Sequence, residues 1–231
     1  MERLSPDAGY APPDATEPDA PYGWFRGRRI LGSGVPIDGG VYLGRKPREA
    51  IVVDTSRPEL ARVHADLVHR IHVAVEADTG PRLLAPGAVL GAMRRYLARN
   101  LLAEMRDLVA REMPYDDAVV RAIAAELRLQ PDDRIHLDVY VRRHGGVCRH
   151  QVCLVGVLLE LLVRDGWIAG RVALQRKHVP NWFSHAWVRF EDARGDIFVL
   201  DPAQGLYMRL DQLDDAGRQF YGGPLRAPDA A

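Results

Sequence analysis

Three residues of this chain have the types that catalysis by a nucleophilic thiol requires, namely Cys148, His185 and Asp201. A cysteine attacks a carbonyl carbon as a thiolate, and it needs a neighbouring base that can take up its proton. An imidazole performs this role when a carboxylate fixes its tautomer and the orientation of its ring. The sequence therefore predicts a Cys-His-Asp triad, provided that the fold brings the three side chains together.

A buried helix is predicted to position Cys148. Gly145 and Gly146 precede the cysteine closely, and the segment from Val152 to Val163 is the most apolar run of the chain. The pattern places Cys148 at or near the first turn, where the partial positive charge of a helix N-terminus favours the thiolate. Cys153, which lies inside the apolar run, is predicted to belong to the core.

His185 and Asp201 are predicted to lie on two neighbouring strands, 184–190 and 197–201, joined by a short loop with a glycine at its end. If the strands pair directly across the loop, His185 lies opposite Asp201. If the glycine shifts the register by two residues, the two become diagonal neighbours. Both registers keep them on one face because side chains alternate with a period of two, whereas a one-residue bulge would separate them.

The motifs around these residues resemble the transglutaminase-like superfamily of cysteine enzymes. They are Gly-Gly-Val-Cys148 at the start of an apolar helix, His185-Ala-Trp-Val, and Leu-Asp201-Pro, in the family's order within roughly residues 90–210. The resemblance implies an α+β fold with a papain-like core, in which the nucleophile's helix packs on an antiparallel sheet. It also implies that Cys148 is the nucleophile, His185 the base and Asp201 the orienting acid, with no cofactor.

The reaction implied by this resemblance is acyl transfer from an amide bond of a peptide or protein substrate through a thioester. Water as the acceptor would make the protein a peptidase or deamidase, and an amine would make it a transglutaminase; the choice depends on how well the cleft excludes water. Two alternatives stay open. One is an acyltransferase similar to the arylamine N-acetyltransferases, which share the order of the three residues, and the other is a catalytically degenerate binding module.

Such a reaction needs two donors for the oxyanion of the tetrahedral intermediate, and the backbone N–H of Cys148 can supply one. Members of the family often add an upstream Trp or Gln side chain, but no Trp lies between Phe25 and Gly166. Tyr140 and His144 are the candidates for the second donor, on their proximity in sequence alone.

Two further residues beside the cysteine are candidate substrate contacts. Gly146 is expected to let the backbone approach the substrate carbonyl, since it has no side chain. His150, in the first turn of the predicted helix, is expected to be partly exposed near the cleft, where it contacts either substrate or solvent. A structural role for Cys148 as a buried thiol is the plainest alternative to catalysis.

A zinc site is a further alternative that the sequence does not favour. No Cys-x2-Cys pair occurs, and Cys148 and Cys153 are predicted to lie on different helix faces, so no metal site is expected. The soft ligands considered for it are His144, Cys148, His150, Cys153, His178 and His185.

Composition limits the remaining functional classes. The 231 residues carry 31 Lys and Arg against 31 Asp and Glu, so neither a nucleic-acid surface nor an anionic-membrane surface is predicted. The longest apolar run is shorter than the roughly 20 residues of a membrane span.

Two cysteines with no predicted disulfide favour a reducing compartment, and hence the cytoplasm. The sequence gives no signal of oligomeric state.

The chain is predicted to consist of a disordered leader, 1–21, without the apolar segment of a secretory signal, a single domain, 22–225, and a tail, 226–231. Helices are expected after a capping box at Ser56, from 87 to 111, and from Asp116 or Asp117 to Leu127. Residues 135–141 are predicted as an extended lead-in to the glycine pair. Strands are also expected at 50–53, 171–175 and 207–210.

Overall fold

The computed structural model describes residues 24–32, 35–44, 48–79, 86–179 and 183–223. The predicted leader, 1–21, and tail, 226–231, lie outside the described residues. Helices and antiparallel strands follow one another in the mixed order of an α+β fold, which confirms the predicted class at this level.

Six α-helices lie within these ranges: α1 (Pro58–Thr79), α2 (Pro86–Glu112), α3 (Asp117–Leu127), α4 (Leu137–Arg142), α5 (Cys148–Arg164) and α6 (Asp215–Tyr221). The nine strands of the same ranges are β1 (Trp24–Phe25), β2 (Arg28–Arg29), β3 (Val41–Tyr42), β4 (Ala50–Val52), β5 (Arg134–His136), β6 (Gly170–Val179), β7 (Phe183–Asp192), β8 (Ile197–Asp201) and β9 (Leu206–Arg209).

The strands form three sheets. β1 pairs with β2, and the second sheet has the order β3-β4-β5, in which the β4–β5 pair is parallel. The largest sheet has the order β6-β7-β8-β9, and all of its pairs are antiparallel. Each strand of this sheet follows its neighbour in the chain, so short connections suffice.

Helix α5 lies at the centre of the molecule and packs against β6 and β7, while α2 and α4 cover other sides of it. Between residues 152 and 159 the helix is apolar on every side, as a helix segment enclosed by protein must be, and these residues are all buried. At Gly156 the sheet comes so close that an added Cβ would lie 2.6 Å from a methyl carbon of Leu174. The predicted burial of Cys153 is confirmed, since its side chain is inaccessible.

The first turn of α1 is capped from a distance, which the sequence prediction missed. The hydroxyl of Ser56 donates to Asp54, so the predicted capping box is wrong. The backbone N–H groups of Glu59 and Leu60 donate instead to one carboxylate oxygen of Asp138, at 2.7 and 3.2 Å. Because Asp138 lies in α4, this cap also fixes α1 against the segment that leads to Cys148.

That segment differs from the prediction as well. Residues 135–141 are extended only as far as His136, where β5 joins β4, and then turn into α4. Residues 137–141 of this short helix are all buried. The weak alternation of apolar residues in the sequence favoured a strand, because a short apolar segment does not distinguish a strand from a buried helix. Among the described helices, none combines the length and apolarity needed to cross a membrane.

Candidate active site

Cys148 is the first residue of α5, as the sequence predicts. Its side chain is partly exposed and lines a cleft of about 500 Å³. The first N–H groups of a helix have no acceptor within the helix, and that of Cys148 has no hydrogen-bond partner among the described residues. One donor for an oxyanion is therefore free beside the thiol.

The hairpin of β7 and β8 brings His185 and Asp201 to the same face. Val188 pairs with Leu200, which is a register shifted by two residues from direct pairing across the loop. The shift arises at the loop, where Gly195 adopts a positive φ of 85°. His185 and Asp201 are thus diagonal neighbours, and the prediction that they share a face is confirmed.

The imidazole of His185 joins the other two members of the predicted triad. Its Nε2 lies 2.5 Å from Oδ2 of Asp201, and its side chain also hydrogen-bonds that of Cys148. Because Nε2 faces the carboxylate, Nδ1 is the ring nitrogen left for the thiol. Burial lowers the pKa of His185, but the hydrogen bonds with Asp201 and Cys148 outweigh it and raise the pKa to about 9.

Asp201 is itself held by two groups that the sequence analysis did not identify. The hydroxyl of Tyr221, at the end of α6, donates to Oδ2 at 2.8 Å, and the backbone N–H of Gln204 donates to Oδ1 at 3.2 Å. The carboxylate is fully buried. Burial and the neighbouring carboxylate raise the pKa of Tyr221 above its ordinary value, so its hydroxyl stays a donor.

Below the first turn of α5 lies a buried cluster centred on Glu49, which we call the Glu49 network. Its carboxylate receives hydrogen bonds from Arg149, through both Nε and Nη2, and from the hydroxyl of Tyr140. Its Oε1 is also 3.2 Å from Nε2 of His150. The other ring nitrogen of His150, Nδ1, accepts the backbone N–H of Val147 at 3.1 Å. The network therefore caps the helix at the residue next to Cys148.

The two hydrogen bonds of His150 require a neutral ring that donates from Nε2 and accepts at Nδ1. Burial lowers the pKa of His150 to about 4, against the opposing effect of Glu49, so the neutral form prevails at neutral pH. Burial raises the pKa of Glu49, but the hydrogen bond from His150 and the charge of Arg149 outweigh this and lower it to about 2. The cluster thus holds one carboxylate and one guanidinium, which balance.

Two sequence predictions are corrected by this network. His150 was expected to be partly exposed near the cleft, yet it is inaccessible and packs against the tilted ring of Tyr140, with ring centroids 3.8 Å apart. Tyr140 was a candidate oxyanion donor, yet its side chain is fully buried and its hydroxyl is engaged by Glu49. Both residues position the helix and do not contact the cleft.

The other two candidates are also placed elsewhere. His144 is exposed at the end of α4, outside the cleft lining. The N–H of Gly146 donates to Pro114 at 3.2 Å and its carbonyl accepts from Asp116, so neither group is free for substrate. A Cβ on Gly146 would lie 2.7 Å from the sulfur of Met113. The glycine is required by packing, and the predicted approach to a substrate carbonyl is wrong.

A tyrosine that the sequence analysis overlooked lines the cleft. Tyr42 is 7% exposed, and its hydroxyl has no hydrogen-bond partner among the described residues. Burial raises the pKa of its phenol above the ordinary value, and charge on Cys153 or Cys148 adds to the shift. Tyr42 lies in a two-residue strand more than 100 residues before Cys148, so no local sequence pattern indicates that it lines the cleft.

No protein-family model, curated protein or solved structure matches this chain. Both cysteines are free thiols. Within the part of the chain that the structure describes, no three His, Cys, Asp or Glu side chains are grouped as a metal site requires; the side chain of His178 lies outside that part.

Proposed function

We propose that this protein is a cysteine-dependent acyl-transfer enzyme that acts on amide bonds of peptide or protein substrates through a thioester. The observation that carries the proposal is the contact of His185 with Asp201 on one side and with Cys148 on the other. A buried structural thiol would need neither a partly exposed position at a helix N-terminus nor an imidazole held by a carboxylate.

We also propose that α5 and the β6–β9 sheet correspond to the core of the transglutaminase-like superfamily. The support is the order of the motifs together with the helix that carries Cys148 and the adjacent antiparallel strands that carry His185 and Asp201. A catalytic thiol must stay reduced, so a reducing compartment such as the cytoplasm fits this proposal.

In the first half of the reaction, the thiolate of Cys148 attacks the carbonyl carbon of the amide, and the carbonyl oxygen of the substrate becomes an oxyanion. The intermediate collapses to a thioester as the C–N bond breaks, and the imidazolium of His185 gives its proton to the departing amine. In the second half, neutral His185 takes a proton from water or from an amine, which attacks the thioester and releases the thiolate. Asp201 keeps the ring in place throughout and stabilises its charged form.

We assign the second oxyanion donor to Tyr42, since its hydroxyl faces the cleft as a protonated donor without another described partner. Tyr42→Phe is expected to lower the rate of thioester formation by about a hundred-fold, the effect of removing one donor from an oxyanion hole. The measurement is single-turnover acylation on a glutamine-containing peptide. Because the ring is kept, the free energy of unfolding should change little.

Tyr115→Phe is the matched comparison, because Tyr115 also lines the cleft but is 57% exposed. Its effect on acylation should be much smaller than that of Tyr42→Phe. Equal effects of the two variants, or none in Tyr42→Phe, would contradict the assignment of Tyr42 while leaving the triad intact.

The proposed function is tested most directly by mass spectrometry of the protein after exposure to glutamine-containing peptides at mildly acidic pH. We expect a covalent adduct on Cys148 with the mass of the acyl group, lost in Cys148→Ala and retained in Cys153→Ala. A catalytically degenerate module would bind peptide without forming the adduct. An adduct formed only with acetyl-CoA, and passed on to an aryl amine, would instead indicate the acetyltransferase alternative.

A further inference from the structure

Among the residues that the structure describes, the cleft beside Cys148 is lined by three arginines, Arg48, Arg149 and Arg176, and by a single carboxylate outside the proposed triad, Asp117. Such an excess is notable in a chain whose formal charges cancel. A cleft of one sign of charge raises the local concentration of ligands of the opposite sign.

Two of these charges are already balanced by neighbours. The guanidinium of Arg149 is paired with the buried carboxylate of Glu49. Asp117 is paired with Arg121, one turn further along α3. Neither residue therefore contributes a free charge to a ligand in the cleft.

The other two arginines have no balancing carboxylate among the described residues. Arg176 is anchored, because its Nη1 donates to the backbone oxygen of Leu43 at 2.6 Å, a neutral acceptor that leaves the charge in place. Arg48 makes no side-chain hydrogen bond or ion pair within the described ranges. Arg176 thereby contacts the residue next to Tyr42, and Arg48 lies two residues before β4, the strand that pairs with β3. Tyr42, Arg48 and Arg176 all line the cleft.

We propose that Arg48 and Arg176 form a carboxylate-binding subsite beside Cys148, so that the enzyme selects amide substrates that carry an acidic group next to the scissile bond. This inference rests on the proposed function for its use in catalysis. The geometry of a guanidinium suits a carboxylate, to which it donates two parallel hydrogen bonds. The acidic group is either an Asp or Glu side chain or the carboxylate at the end of a peptide.

The charge preference can be measured without a substrate, by alkylating Cys148 with iodoacetate and with iodoacetamide. The two reagents have the same leaving group and nearly the same size, but only iodoacetate carries a carboxylate. The ratio of their rate constants at Cys148, divided by the ratio for glutathione, should exceed one. It should fall by about two- to five-fold in Arg48→Gln and in Arg176→Gln, as expected for one partly exposed ion pair.

The use of a ratio separates this inference from the proposed function. A change in the reactivity of the thiol alters both rate constants alike and cancels. If Cys148 reacts slowly with both reagents the proposed function fails, yet the ratio still reports the charge of the cleft. A ratio that equals that of glutathione, or that is unchanged in both variants, overturns the subsite even where Cys148 is highly reactive.

Arg171→Gln is the matched control, since Arg171 lies on the same strand as Arg176 but is paired with Glu191 at the far end of the hairpin. Its ratio should equal that of the wild type. Salt provides a second check. The wild-type ratio should approach that of glutathione as ionic strength rises from about 0.01 M to about 1 M, over which the Debye length shrinks from about 30 Å to about 3 Å.

The source of the acidic group is distinguished by protection of Cys148 from iodoacetamide by glutamine-containing peptides. One pair of peptides differs in a free or amidated C-terminus, and another pair differs in Glu or Gln beside the reactive glutamine. The acidic member of at least one pair should protect at a lower concentration, and the advantage should vanish in the double variant Arg48→Gln/Arg176→Gln. Equal protection within both pairs contradicts the subsite.

Discussion

Replacement of His185 by alanine is expected to slow the alkylation of Cys148 by iodoacetamide at about pH 6 by roughly ten- to a hundred-fold. A free cysteine is only about 0.3% thiolate at that pH. In this protein the side chain of His185 hydrogen-bonds that of Cys148, so the imidazole is in place to take up the thiol proton in the proposed reaction. The alanine variant keeps the positive charge of the helix N-terminus and of the cleft arginines, but it loses the base that can take up the thiol proton. The measurement is the rate of modification of each cysteine by mass spectrometry.

Cys153 serves as an internal reference, because burial raises its pKa well above the ordinary value and its side chain is inaccessible. It should react slowly in every variant that stays folded. His69→Ala, which removes an exposed histidine of α1, is the matched control and should leave the rate at Cys148 unchanged. Equal and slow alkylation of both cysteines in the wild type would contradict the thiolate–imidazolium pair and with it the proposed function.

The role of Asp201 is tested by the titration of His185. Because the folded protein raises the pKa of this histidine to about 9, the imidazolium persists from acidic pH up to that value and is lost above it. In Asp201→Asn the hydrogen bond to a charged acceptor is lost, so the midpoint should move to lower pH. The ring-proton resonance of His185, followed by NMR across this range, measures the shift. An unchanged midpoint would show that Asp201 does not support the charged ring.

The sequence could predict that His185 and Asp201 lie on the same face of the hairpin. Side chains alternate with a period of two along a strand, so a register shift of two residues does not change the face. The loop glycine moved the pairing by two residues and left both side chains on the same face. The start of α5 could also be predicted, because the glycine pair at 145 and 146 is followed within a few residues by the apolar run from Val152 to Val163. These are local patterns, and they suffice to predict which three residues form the proposed triad.

The residues that hold the elements of the proposed triad could not be predicted, because each acts across a long stretch of chain. Glu49 lies 100 residues before Arg149, and Asp138 caps a helix that begins near position 58. Polar side chains in the first turn of a helix usually face solvent, so His150 and Arg149 gave no sign of burial. The carboxylate of Glu49 allows Arg149 and His150 to be buried because it pairs with both, and only the fold shows that Glu49 reaches these two side chains.

The largest effect on stability is expected at this carboxylate. Glu49→Gln should lower the free energy of unfolding by about 3 kcal/mol or more, because it leaves the buried guanidinium of Arg149 without a compensating charge. Glu126→Gln is the matched control. It removes the partner of Arg143 in an exposed ion pair, for which the loss should not exceed about 1 kcal/mol. Denaturant titration followed by fluorescence measures both. A similar small loss in the two variants would contradict the structural role of the Glu49 network.

The network also predicts how stability depends on pH. The unfolded chain protonates His150 near pH 6.5, whereas the folded protein keeps it neutral until about pH 4. Between these values the unfolded state binds more protons, so the free energy of unfolding falls as the pH is lowered, by about 3 kcal/mol in total. Glu49, with its lowered pKa, adds a further loss from about pH 4.5 down to about 2.

His150→Gln separates these two contributions, since glutamine keeps a neutral hydrogen-bonding side chain that does not titrate. The loss between about pH 6.5 and 4 should largely disappear in this variant, while the loss at lower pH remains.

Alkylation of Cys148 shows whether the Glu49 network also positions the thiol or only stabilises the fold. Because Val147, which donates its backbone N–H to His150, directly precedes Cys148, Glu49→Gln should slow alkylation at pH 7 under conditions where the variant is still fully folded. A folded Glu49→Gln protein with wild-type alkylation would show that the network stabilises the fold without setting the position of the thiol.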